Sequence, residues 1–108
     1  MIRLTARFQR EFQSVIDYII DEFGIRAASD FTAEVHKRLL WIEENPEIGR
    51  IEPLLAERRI EYRCLKVGKH SKCIYYRDKD IIYVVDLWDM RREPSSLSAR
   101  IRTKNKLD

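Results

Sequence analysis

The hydrophobic period changes once along this chain, from helical to strand spacing, and that change sets the fold class. Between residues 6 and 23, Phe8, Phe12, Val15, Ile16, Ile19, Ile20 and Phe23 recur at steps of one, three and four residues, which places them on one stripe of an α-helix. Thr5 stands in position to cap this helix, and Gly24 to stop it with left-handed backbone geometry. A second stripe, Ala28, Phe31, Val35, Leu39 and Ile42, predicts a helix from about Ile25 to Glu44. Asn45-Pro46 ends it, because proline disfavours helical geometry at the residue before it. So little chain separates the two helices that they form an antiparallel hairpin.

Residues 45–57 hold two prolines and a glycine and read as a connecting loop. Beyond them Arg59–Val67, Ser71–Arg77 and Ile81–Asp89 are short runs rich in Tyr, Ile and Val, with Gly68-Lys69 and Asp78-Lys79-Asp80 as hairpin turns between them. A two-residue turn at Gly68-Lys69 sets Cys64 opposite Cys73. The run Ile81–Asp89 is apolar on both faces and reads as a central strand, and Ile2–Leu4 adds a short strand before the first helix. The expected architecture is α+β, an N-terminal two-helix hairpin packed on one face of a three- to four-stranded antiparallel sheet. A helix pair shields one face only, so the other is expected to be solvated or to be the working surface. At 108 residues the chain is one domain, read as residues 1–94, with a polar, basic tail over 95–108.

No stretch approaches the length of uncharged apolar chain that a bilayer core requires, and Met1–Arg7 lacks the unbroken apolar run of a secretory signal. Two cysteines in such a chain are expected to be free thiols in a reducing compartment, which points to the cytoplasm. A glycine-rich phosphate loop and a serine nucleophile elbow are absent. Cys64, Cys73, His36 and His70 lack zinc spacing, so neither a metal nor another cofactor is expected.

Charge is unevenly divided. Residues 1–57 carry 7 Lys and Arg against 11 Asp and Glu, whereas residues 58–108 carry 14 against 7. Within the basic half, Arg63, Lys66, Lys69, Lys72, Arg77, Arg91 and Arg92 interleave with Tyr62, Tyr75, Tyr76, Tyr83 and Trp88. Cations beside stackable rings suit single-stranded nucleic acid or an acidic peptide, and equally suit a strand core fringed by charge. His70, set among lysines, reads as a turn residue or as a candidate general base, while His36 reads as a surface residue.

In order and spacing the chain resembles the RelE/ParE superfamily of toxins from bacterial type II toxin–antitoxin systems. The resemblance rests on Asp17-Tyr18-Ile19-Ile20 through Phe23-Gly24, Asn45-Pro46-Glu47-Ile48-Gly49-Arg50, Tyr62-Arg63-Cys64-Leu65, Lys72–Arg77 and Trp88–Pro94. It implies a cognate antitoxin as partner, growth inhibition and plasmid stabilisation, and one of two mechanisms. RelE-like toxins cleave ribosome-bound mRNA, which needs a base, cations on the phosphorane and an acid. ParE-like toxins keep the fold and bind DNA gyrase. Carried across, Lys72 and Arg91 match basic positions of the nuclease site. The tyrosine acid of RelE-like members aligns near Leu97, and Trp88 stands where many relatives have His. His70 and Tyr62 are the candidate substitutes. The phosphate-binding half of a nuclease is thus present without its proton-transfer half, which favours a ParE-like gyrase inhibitor. A RelE-like endoribonuclease and an inactive antitoxin-binding relative are the alternatives. The residues expected to meet the target are Arg63, Lys72, Arg77, Trp88, Arg91 and Arg92.

Overall fold

The structure is a computed structural model and describes residues 1–101; the part of the expected tail at 102–108 lies outside the described residues. In chain order the elements are β1 (Ile2–Leu4), α1 (Ala6–Phe23), α2 (Ile25–Glu44), β2 (Arg50–Ile51), a 3-10 turn (Pro53–Leu55), β3 (Arg63–Val67), β4 (Ser71–Asp78), β5 (Ile81–Asp89) and α3 (Pro94–Arg100). The α+β class and the helical hairpin are as expected, with five strands in place of three or four. The sheet order is β1-β5-β4-β3-β2. It is mixed rather than antiparallel, because β1 runs parallel to β5 with Ile2 opposite Ile82 and Leu4 opposite Val84.

Thr5 joins the first helix to the sheet. Its Oγ1 accepts from Phe8 N at 3.2 Å and donates to Val85 O at 3.2 Å, and its N–H donates to Val84 O at 3.1 Å. The stripes on both helices then pack on one sheet face, where Phe8, Val35 and Ile42 meet Val67, Cys73, Tyr75, Val84 and Leu87. Gly24 ends α1 and opens α2 in a single residue at φ 95° and ψ 172°. That is not the left-handed helical geometry expected of it but an extended one with positive φ, open essentially to glycine alone. No heavy atom lies within 4 Å of a Cβ placed there, so any cost of substitution is purely conformational. Gly24→Ala is expected to destabilise by about 1–3 kcal/mol, read as a shift in the urea midpoint at unchanged slope.

The opposite face is not bare, which corrects the expectation of an open working surface. Tyr62, Ile74, Tyr76, Val85 and Trp88 form a second core there with Leu55 from the 3-10 turn and with Leu97 and Ile101 from α3 and its end. The first residues of the expected tail are therefore a docked helix. A bulge contributes to this cover. Ile74 pairs with Asp86 and Tyr75 with Val84, which leaves Val85 unpaired and turns Val85 and Asp86 toward the same face. Asp86, fully buried, then accepts from Arg100 of α3 at 2.5 and 3.1 Å. Arg58 donates to the carbonyls of Ser98 and Ile101, each at 2.5 Å.

The β3–β4 turn also differs from expectation. Val67 pairs with Ser71, so three residues, Gly68 to His70, make the turn. The register places Leu65 opposite Cys73 and Cys64 opposite Ile74. A one-residue slip inverts faces in a strand, so the two cysteines belong to different cores and do not face each other. Burial pushes the Cys64 thiol up to about 11 and that of Cys73 up to about 12, which makes both inert at neutral pH.

Candidate functional site

The antiparallel pairing of β4 with β5 brings the start of one strand to the end of the other, with Ser71 opposite Asp89. His70 and the residues after Asp89 therefore converge. Met90 N donates to His70 O at 2.6 Å, and Arg91 N to Asp89 Oδ1 at 2.9 Å. The Arg91 guanidinium folds back on the same carboxylate, Nε to Oδ1 at 3.0 Å and Nη2 to Oδ2 at 2.8 Å. These bonds, joined by the nearby His70, hold the Asp89 carboxyl below its usual range. Arg91 itself stays exposed. Its neighbour Arg92 lies over the Trp88 indole at 5.2 Å from the ring centroid, and its Nη1 is 3.6 Å from Glu11 Oε1.

These cations line one lip of a groove of about 650 Å³, whose opposite wall is the second half of α1. Val15, Tyr18, Ile19 and Phe23 form that wall, with Phe31 of α2 beside them. Tyr18 and Phe23 remain 54% and 68% exposed, in edge-to-face contact at 6.3 Å. Apolar walls under a lip bearing Lys69, His70, Arg91 and Arg92 suit an amphipathic segment with acidic side chains.

The remaining candidates lie elsewhere. Lys72 is buried, and its Nζ forms an ion pair with Glu52, itself fully buried. Glu52 also accepts from Leu54 N at 2.9 Å, capping the 3-10 turn. Lys72 and Arg91 thus share no surface. Trp88 is buried under α3 with the Arg100 guanidinium 5.0 Å from its ring. Tyr62 is buried edge-on against Tyr76 at 5.5 Å, and Tyr76 stacks on Tyr83 at 5.2 Å. Burial raises the Tyr62 hydroxyl above its ordinary value, opposed by Arg58. Arg63 donates to Gly49 O at 2.7 Å and pairs with Glu61 at 3.0 Å. Arg77 donates to Lys79 O at 2.8 Å, and both arginines border a small hollow of about 110 Å³ apart from the groove. Among the described residues no cluster of three metal-ligating side chains occurs, and no helix is long and apolar enough to cross a membrane.

His70, Arg91 and Arg92, singled out from the sequence, thus line one groove, whose apolar wall was not among the expected site residues. Its signal lay in the α1 stripe, which continues through Ile19 to Phe23, the latter 68% exposed.

The sequence and the fold place the chain in the RelE/ParE toxin superfamily. Residues 2–94 match the family described as ParE toxin of type II toxin-antitoxin system, parDE, and the chain belongs to that family. Among solved structures, one titled chromosomal ParDE TA system from P. aeruginosa matches at a TM-score of 0.68 and 11% identity, over 82% of this chain and 92% of that one. At that identity the likeness is one of fold. No curated protein matches.

Proposed function

We propose that this chain arrests bacterial growth by binding DNA gyrase in the cytoplasm, and that a cognate antitoxin silences it by laying an acidic amphipathic segment in the groove. One observation carries the reading. Two of the four groups a nuclease would draw on, Lys72 and Tyr62, are buried and engaged inside the second core. What remains at the surface is an apolar groove with a cationic lip, a shape for holding a protein segment. Plasmid stabilisation follows if such a pair is carried on a plasmid, since loss of the antitoxin frees the toxin.

A ribonuclease is the second reading, favoured by the closeness of His70 and Arg91 around Asp89. A base and a cation side by side serve attack by a ribose hydroxyl on its phosphate. The two readings separate in vitro. Purified protein is expected to block gyrase supercoiling and leave ribosome-bound message intact. Cleavage of message at defined codons, lost in Arg91→Ala, would reverse the assignment. In the gyrase assay Arg91→Ala is expected to raise the inhibitory concentration about tenfold, the factor matching ~1.4 kcal/mol at an interface anchor. Its fold stability should move by less than ~0.5 kcal/mol, as for exposed substitutions generally.

A further inference from the structure

The groove and α3 share one carboxylate. Glu11 stands on α1 between them, its Oε1 3.6 Å from Nη1 of Arg92 and 3.4 Å from Nη2 of Arg100. The same two guanidiniums flank the Trp88 indole, 5.2 and 5.0 Å from its centroid. Arg92 and Arg100 thus both reach one carboxylate and one ring. Arg92 lines the groove, whereas Arg100 anchors α3 through Asp86. With seven residues α3 is too short to keep helical geometry unaided. Its order rests on Leu97, Ile101, the two bonds from Arg58 and the Arg100 anchor.

We propose that Glu11 couples occupancy of the groove to the docking of α3. An acidic side chain that takes Arg92 releases Glu11 to Arg100, and the helix docks more firmly. By linkage, firmer docking of α3 raises the affinity of the groove for an acidic segment by the same factor. Glu11 and Arg100 are positioning residues here. The coupling rests on the groove reading given above only for the identity of what takes Arg92.

Amide hydrogen exchange of residues 98–101 in the full chain tests this without a ligand. Arg92→Gln removes the competing cation and is expected to slow exchange in α3 by about two- to fivefold, the range an exposed ion pair is worth. Glu11→Gln is expected to speed it by a similar factor. In the double variant the effect of Arg92→Gln should vanish, since the carboxylate that transmits it is gone. Faster or unchanged exchange in Arg92→Gln overturns the coupling, as does slowing that persists without Glu11. A merely structural Arg92, packed on Trp88, predicts loosening instead. In a second arm, a synthetic amphipathic helix of leucine and glutamate is added, with a leucine–lysine helix as control. The acidic peptide should bind and slow α3 exchange in the parent chain and not in Arg92→Gln. Binding without slowing overturns the coupling. A peptide that does not bind, with the variant pattern intact, leaves the coupling supported and refutes the groove reading.

Discussion

Lys72→Ala is expected to destabilise the fold by about 3–5 kcal/mol, the usual cost of stripping one partner from a buried ion pair. The loss comes from Glu52, whose fully buried carboxylate would be left without its cation. It is also the cap of the 3-10 turn through Leu54 N, so the cover of the second core would loosen with it. Such a loss is a large part of the ~5–15 kcal/mol that holds a domain together. Replacing both partners together, Lys72→Met with Glu52→Gln, is expected to recover most of it, because no unpaired charge remains. Urea midpoints of the parent, single and double variants check this. A single variant within ~0.5 kcal/mol of the parent would show that Lys72 is free to serve at the surface, as the alignment with a nuclease position implies.

Trp88→Ala is expected to cost ~3–5 kcal/mol, through lost burial and the cavity left behind. The indole is buried between β5 and α3, with Leu97 in the same cluster and two guanidiniums on its ring. Its removal should also free α3, so proteolysis near Pro94–Arg100 should quicken more than the global loss accounts for. Trp88→Phe separates the two effects, since it keeps an apolar ring in place and should lose less than half as much stability. If Trp88→Ala leaves α3 as protected as in the parent chain, the helix is held without the indole, by Leu97, Ile101, Arg100 and Arg58.

The helices were legible because each presents a long stripe with a stop that only certain residues allow, Gly24 and Asn45-Pro46. The central strand was legible for the same kind of reason, since Ile81–Asp89 is apolar on both faces and lies between β1 and β4. The β3–β4 register was not, because Gly68-Lys69 and Gly68-Lys69-His70 are equally good turns on paper, and one residue decides which face every side chain takes. Strand β2 has two residues and exists only through its pairing with β3. The cover over the second core escaped notice because α3 offers Leu97 alone as a fully apolar anchor amid serines and an arginine. For the site, His70, Arg91 and Arg92 follow from strand ends meeting, which the hairpin implies. The fate of Lys72 depends on Glu52, twenty residues away in a stretch that reads as a connector, and no local pattern announces that partnership.

The parallel strand at the start of the chain has a consequence for when this toxin comes into being. Ile2–Leu4 and Thr5 find their sheet partners in residues 82–85, so this segment waits for a strand some eighty residues further on. At roughly 5–20 residues per second of synthesis, the helices can form early on a nascent chain while the strand that receives them is still unmade. Closing so long a loop costs entropy that local contacts do not return. Until residues 82–85 are made, Ile2–Thr5 have no sheet to join, and an interval separates the first turn of helix from the completed sheet.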